Sequence, residues 1–120
     1  MNNVALNVLS EVYKYCKEIF GDKLCDAYLY GSYARGDYNK DSDIDILVTV
    51  DMEQPDKLEL FNKVSFVSSR LSLKYDITVS VAVKELQQFI KYSKVLPYYS
   101  NVLKDGIKYA VWRSKGTSKS

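Results

Sequence analysis

Two aspartates within an apolar run carry the clearest chemical signal in the sequence. Asp43 and Asp45 flank Ile44, and residues 43–50 are rich in β-branched and apolar types, which is typical of a strand. Side chains alternate faces along a strand, so the two carboxylates point the same way, roughly 7 Å apart. Two ionised carboxylates on one face repel each other and lose solvation wherever the sheet is covered. A divalent cation removes this conflict, and Mg²⁺ is commonly held by one or two protein carboxylates together with substrate phosphates.

A second candidate site precedes the aspartates. Gly31 permits a tight turn and a close backbone approach, and Ser32 adds a hydroxyl beside the free N–H groups that begin a helical turn. This combination of groups suits a phosphate. Arg35 follows one helical turn later and could neutralise a phosphate or pair with Asp37 or Asp41.

The two halves together form a recognisable signature. A Gly-Ser turn, ten intervening residues and then Asp-x-Asp between apolar residues resembles the motif of the DNA polymerase beta superfamily of nucleotidyltransferases. The fuller form, over 31–36 and 42–48, is similar to that of the minimal nucleotidyltransferases, which include the MntA-like antitoxins of HEPN/MNT toxin–antitoxin pairs. The resemblance implies a nucleotidyltransferase fold and transfer of AMP from ATP to a hydroxyl, with pyrophosphate leaving. It assigns Gly31, Ser32 and Arg35 to binding the nucleotide.

A third carboxylate is expected on the next strand. From Tyr75 onward apolar and polar residues alternate, and Asp76 opens the polar face of this predicted strand. If the strand pairs beside the one that carries Asp43 and Asp45, the three carboxylates meet. In the resembling family a carboxylate at this place completes the metal site and acts on the incoming hydroxyl. We therefore predict all three aspartates as catalytic and metal-binding residues; the alternative for Asp76 is a solvated residue or a partner of Lys74.

The remaining elements support this site in the order α-β-turn-β-α-β-α-α-β. This order predicts an α+β (α/β) domain with a small mixed sheet, helices on one side and an exposed carboxylate face on the other. Residues 1–112 form the predicted nucleotidyltransferase domain and residues 113–120 a disordered basic tail. The predicted elements are a helix over 4–20, a strand over 23–30, a helical turn ending near residue 36, strands from 43 and from 75, helices from 55, over 84–92 and over 97–105, and an edge strand over 107–112.

The chain is rich in tyrosine, with eleven residues scattered along it. Near the C-terminus, Tyr92, Tyr98 and Tyr99 could rim a nucleotide base or a partner surface. Aromatic residues at helical spacing are, however, more often core or interface filler. The spacing of the tyrosines leaves both interpretations open.

Composition excludes several classes of function. The chain has no histidine, so acid–base and metal chemistry fall largely to carboxylates. Its formal charge is +2, and three positive charges lie in the tail, so the body is nearly neutral and direct nucleic-acid binding is not expected. The two cysteines lack metal or redox spacing and are predicted to be free thiols. No apolar run approaches the ~20 residues of a membrane span and no signal peptide begins the chain, so we expect a cytoplasmic protein.

Three functions are compatible with these features. The first is Mg²⁺-dependent adenylyl transfer, with two metal ions between the aspartates and the triphosphate of ATP, onto a hydroxyl of a HEPN-domain partner. The second is a non-catalytic antitoxin that neutralises its partner by binding; three intact carboxylates argue against it. The third is a small-molecule adenylyltransferase of the antibiotic-modifying kind, whose members carry a further domain that 120 residues do not accommodate. The sequence does not decide between homo- and hetero-oligomers.

Overall fold

A four-stranded mixed sheet organises the chain, whose computed structural model describes residues 3–118, with side chains described through residue 114. The elements are α1 (Asn3–Phe20), a 3₁₀ turn (Gly21–Lys23), β1 (Leu24–Tyr30), α2 (Ser32–Arg35), β2 (Ile44–Val50), α3 (Leu58–Tyr75), β3 (Val79–Glu85), α4 (Leu86–Ser93), α5 (Pro97–Asp105), β4 (Ile107–Lys108) and α6 (Tyr109–Ser118). The strands lie in the order β3-β2-β1-β4, with β2 and β3 parallel and the other neighbours antiparallel. The predicted class, α+β with a small mixed sheet, is confirmed. None of the helices in the described ranges is long and apolar enough to cross a membrane.

The main core lies between one face of the sheet and helices α1 and α3. Ile44, Ile46 and Val48 of β2 are fully buried there. Complete burial of an aliphatic side chain contributes roughly 1.5–3 kcal/mol each, so this face decides how β2 is oriented. Because strand side chains alternate, the same packing directs Asp45 to the opposite face.

The opposite face is partly covered, whereas the sequence predicts helices on one side only. A smaller buried cluster forms there from Tyr28 of β1, Leu47 of β2, Phe89 of α4 and Val102 of α5. Phe89 and Val102 are almost fully buried, so the α4–α5 pair is a second packed layer and not a peripheral appendage. Asp45, two residues before Leu47, therefore lies at the margin of a covered region.

The crossover helix begins later than predicted. Pro55 is not its first residue; the helix starts at Leu58, and Pro55 occupies a turn closed by the N–H of Lys57 donating to the carbonyl of Gln54. Proline is favoured as the second residue of such turns. The prediction failed because proline suits a helix start and a turn equally well.

Strand β3 also begins later than predicted, which changes the position of Asp76. Helix α3 continues through Tyr75, and Asp76 is its C-terminal cap in the left-handed conformation, with φ of 55°. The chain then enters β3 at Val79, whose N–H donates to the hydroxyl of Ser72 at 2.8 Å. Aspartate tolerates left-handed backbone better than most residues, which suits it to this capping position.

The C-terminal part of the chain is helical where an edge strand was predicted. Strand pairing is confined to Ile107–Lys108, and α6 follows at once. The buried carboxylate of Asp26 on β1 contacts the start of this helix, because its Oδ1 accepts the N–H of Ala110 at 3.3 Å. That contact satisfies one of the unpaired N–H groups at the start of a helix. Helix α6 extends to Ser118, through most of the predicted disordered tail, and residues 119–120 lie outside the described residues.

Candidate active site

The Gly-Ser turn joins β1 to the single helical turn α2. Gly31 has φ of 76° and Gly36, at the other end of α2, has φ of 87°, both in the region that favours glycine. The carbonyl of Gly31 accepts the N–H groups of Ala34 and Arg35 at 3.1 Å each. The turn is thereby held by backbone bonds, and the hydroxyl of Ser32 stands at its start, as the sequence predicts.

The turn and the carboxylate strand meet at one contact. Tyr30, the residue before Gly31, pairs with Asp45 across β1 and β2. A Cβ placed on Gly31 would lie 2.7 Å from Oδ2 of Asp45, closer than real Cβ contacts come. The backbone angle therefore favours glycine strongly at this position, and any added Cβ would also displace the carboxylate of Asp45. The contact brings the predicted phosphate turn and the predicted metal ligand into one site.

The two carboxylates differ in their environment. Asp43 is exposed and immediately precedes β2, whereas Asp45 is half-buried within it. Burial raises the pKa of Asp45 above its usual value, the charge of Asp43 raises it further, and the charge of Arg35 opposes both. The ionised pair is thus in electrostatic conflict, as the sequence predicts.

The donor set fits a divalent cation such as Mg²⁺. Asp43 and Asp45 provide carboxylate oxygens, which are the ligands that Mg²⁺ prefers, and a cation between them would offset both the repulsion and the burial cost. Two protein ligands leave positions for phosphate oxygens and water. The pair could therefore hold a metal jointly with a nucleotide, although it would not enclose one alone.

Arg35 is the last residue of α2 and follows the Gly-Ser turn by one helical turn. Its Nε donates to Oδ2 of Asp37 at 3.3 Å, and both side chains are largely exposed. Exposed ion pairs of this kind contribute roughly 0–1 kcal/mol, so the pairing does not lock Arg35 in place. Since its charge also acts on Asp45, Arg35 is placed to serve either the loop or a bound phosphate.

Asp76 is not brought to this pair. It caps α3 and precedes β3 by three residues, while the carbonyl of Thr78 accepts the N–H of Ile44 and Ser80 pairs with Asp45. Over the part of the chain that the structure describes, no three His, Cys, Asp or Glu side chains are grouped to hold a metal. The expected start of β3 at Asp76 was wrong because the strand pattern was extended backwards into a helix end, and a role for Asp76 as third carboxylate stays a prediction.

Tyr30 is a site neighbour that the sequence analysis missed. Its hydroxyl lies 2.6 Å from that of Tyr98 on α5. Burial, the bond to Tyr98 and the negative charge of Asp45 raise its pKa far above the usual value. Its position directly before the Gly-Ser turn was the available signal, but its pairing with Asp45 depends on the register of two strands. A further ring contact, Tyr33 stacked on Tyr38 with centroids 4.4 Å apart, ties the loop before Asp43 to α2.

Comparison with known proteins gives a family match along most of the chain. A family model described as nucleotidyltransferase domain matches residues 9–109. Two relatives from Methanocaldococcus jannaschii, both provisionally named protein adenylyltransferases, are 44% identical over 75 residues and 37% identical over 78 residues. The first alignment covers 62% of this chain and 74% of the relative, and the second covers 65% and 70%.

Two solved structures are similar in fold. One is a toxin–antitoxin structure with AMP-PNP, with a TM-score of 0.52 at 21% identity, and the other is an MntA-HpeT toxin–antitoxin mutant, with a TM-score of 0.51 at 19% identity. Each comparison covers 84% of this chain and 71% of the other. At these identities the likeness concerns the fold alone.

Substitution of Gly31 tests the contact between the turn and the carboxylate. Gly36→Ala should lose about 1–2 kcal/mol of unfolding free energy, because alanine is strained in the left-handed helical region. Gly31→Ala should lose at least as much, about 1–3 kcal/mol, because φ of 76° with ψ of −156° is a conformation essentially confined to glycine. Only at Gly31 would the added Cβ meet a side chain, since nothing lies within 4 Å at Gly36. Displacement of Asp45 should weaken Mg²⁺-ATP binding by more than about tenfold in Gly31→Ala alone. Urea unfolding and calorimetric titration measure the two effects; equal ATP affinities in the two variants would contradict the proposed role of the contact.

The raised pKa of Asp45 predicts how stability depends on pH. Its carboxyl binds a proton more tightly in the folded state, so stability is lost as pH rises from the ordinary value of 3.8 through the raised one. Asp45→Asn should therefore melt roughly 1–4 °C higher than the wild type at neutral pH, a modest gain because the group is only half-buried. The gain should vanish in acid below the ordinary pKa. Asp41→Asn, an exposed change of equal charge, is the control; a lower melting temperature for Asp45→Asn at neutral pH would mark Asp45 as structural.

Proposed function

Because the chain belongs to the nucleotidyltransferase domain family, we propose that it transfers AMP from ATP to a hydroxyl of a partner protein, with release of pyrophosphate. Family membership confirms the resemblance drawn from residues 31–48. Nucleotidyl transfer follows from it directly, whereas the donor, the acceptor and the metal are the finer parts of the proposal. Two relatives named as protein adenylyltransferases support AMP as the transferred group and a protein as its acceptor.

The observation that carries the proposal is the approach of Asp45 to Gly31. A Cβ on the glycine would come within 2.7 Å of the carboxylate, so a triphosphate at the turn and a metal at the carboxylates would be immediate neighbours. Phosphoryl and nucleotidyl transfer need positioning and charge neutralisation more than covalent help from the protein. Bringing phosphate and metal ligands together supplies both.

Each residue has a distinct role in the proposed reaction. Gly31 and Ser32 hold the triphosphate, and Arg35 offsets its negative charge. Asp43 and Asp45 would hold Mg²⁺, which when bound neutralises charge on the phosphates and lowers the pKa of a coordinated hydroxyl. The acceptor oxygen attacks the α-phosphorus, the bond from that phosphorus to the pyrophosphate oxygen breaks, and pyrophosphate leaves.

The acceptor proton is proposed to leave to solvent. The chain has no histidine, and within the described residues no third carboxylate joins Asp43 and Asp45. Asp76, which the sequence suggests as the group acting on the hydroxyl, stands at the end of α3. We therefore keep the two aspartates of β2 in the proposal and leave Asp76 out of it.

A HEPN-domain protein is the partner we propose. The motif over 31–48 resembles that of the minimal nucleotidyltransferases, and the two solved structures of similar fold are both toxin–antitoxin structures. The site also lies open at the exposed residues Asp43, Asp37 and Arg35, which suits an acceptor attached to a large molecule. A protein hydroxyl is thus favoured over a small acceptor that would need enclosure.

Intact mass spectrometry of the partner tests the proposal. The chain is incubated with Mg²⁺-ATP and a candidate HEPN-domain partner, sought first among the neighbouring genes, and the partner is then weighed. We expect a gain of one or more AMP units with the wild type and with the matched surface variant Asp41→Asn, and no gain with Asp43→Asn. A partner that stays unmodified yet is inhibited in a tight complex would contradict transfer and favour an antitoxin that acts by binding alone.

A further inference from the structure

A row of aromatic side chains runs from the carboxylate site to the second core. Its members, here called the tyrosine wall, are Tyr30, Tyr98 and Tyr99. Tyr30 pairs with Asp45 across the two strands, and directly paired residues point to the same face with Cβ atoms roughly 4.5–5.5 Å apart. The wall therefore begins beside one of the proposed metal ligands.

The wall is rigidly supported. The rings of Tyr30 and Tyr98 are perpendicular with centroids 5.7 Å apart, and Tyr98 makes a similar contact to Tyr99 at 5.2 Å. The rings of Tyr99 and Phe89 are also perpendicular, with centroids 5.6 Å apart, and Phe89 is almost fully buried. Edge-to-face geometry at these distances is favourable, so the ring of Tyr98 is held in place from the core.

Tyr98 nevertheless presents much of its surface to solvent. The residue is 46% exposed, and its hydroxyl is bonded to that of Tyr30. A flat, fixed and half-exposed aromatic ring next to a charged site is a stacking surface for another planar ring.

The paired hydroxyls add a hydrogen-bonding group at the end of the tyrosine wall that is nearest Asp45. Two phenols 2.6 Å apart use one proton for the bond between them, which leaves the second O–H free to donate.

We infer that Tyr98 and Tyr30 form the nucleoside subsite, with the base stacked on the ring of Tyr98 and the free phenolic O–H donating to the nucleoside. This inference rests on the proposed function, since it assumes a nucleoside triphosphate at Gly31 and Ser32. Tyr92 is not part of the inferred subsite. Its ring stacks near that of Tyr99, with centroids 6.3 Å apart, and so lies one ring further from the carboxylate site than Tyr98 does. The subsite binds the nucleoside of ATP, whereas the turn at Gly31 and Ser32 binds its phosphates.

Calorimetric titration with two ligands tests the subsite, because inorganic tripolyphosphate carries the phosphates of ATP without the nucleoside. Both are titrated in the presence of Mg²⁺. Tyr98→Ala should bind ATP about 5- to 100-fold more weakly than the wild type, the range expected for loss of one base stack, and should bind tripolyphosphate unchanged. Tyr98→Phe should retain most ATP affinity, because it keeps the ring and loses only the hydroxyl. Tyr92→Ala is the matched control and should resemble the wild type.

The possible results are distinct. If Tyr98→Ala weakened the binding of ATP and tripolyphosphate equally, or of neither, the subsite would be overturned. A variant that kept its ATP affinity but transferred AMP more slowly at saturating ATP would also overturn it, because the ring would then act on the acceptor. Tyr98→Leu keeps apolar bulk without a flat ring and should also lose ATP affinity, which guards against a folding defect in the alanine variant. A wild-type protein that binds neither ligand would overturn the proposed function itself.

Discussion

The close approach of Asp45 to the backbone of Gly31 is the constraint on which the site depends. It depends on the positive φ of Gly31, where an added Cβ would come within 2.7 Å of the carboxylate, and on the antiparallel pairing that sets Tyr30 opposite Asp45. The main core provides the pairing, because Ile44 and Ile46 turn one face of β2 inward and leave Asp45 on the other. Packing on one face of the sheet thereby determines the chemistry available on the opposite face.

The same arrangement has a cost in stability. Asp45 is half-buried beside another carboxylate, and burial and repulsion both raise its pKa. A chain selected for stability alone would avoid this pair, whereas a chain that binds a metal and a nucleotide gains affinity from it, because the ligand relieves the conflict. The α4–α5 layer packs through Phe89 and Val102 on the same face of the sheet, against Leu47, which lies two residues after Asp45.

Much of this organisation follows from local sequence. The Gly-Ser turn, the alternation in β2 and the bounds of α5 depend on short-range patterns and were predicted correctly. The start of β3 was not, because alternating residues near a helix end resemble a strand. The bond that the N–H of Val79 donates to the hydroxyl of Ser72 joins separate elements and leaves no local pattern. The packing of α4 and α5 against the sheet and the nearness of Tyr98 to Asp45 likewise arise from tertiary contacts that no local pattern contains.

A crystal structure with Mn²⁺ and the ATP analogue AMP-PNP would test the central claim most directly, since the anomalous signal of Mn²⁺ identifies the metal without ambiguity. The account predicts Mn²⁺ coordinated by carboxylate oxygens of both Asp43 and Asp45 and by a phosphate oxygen, with the rest of the triphosphate against Gly31 and Ser32. A nucleotide bound elsewhere, or a metal that contacts neither aspartate while the triphosphate lies away from the turn, would contradict it.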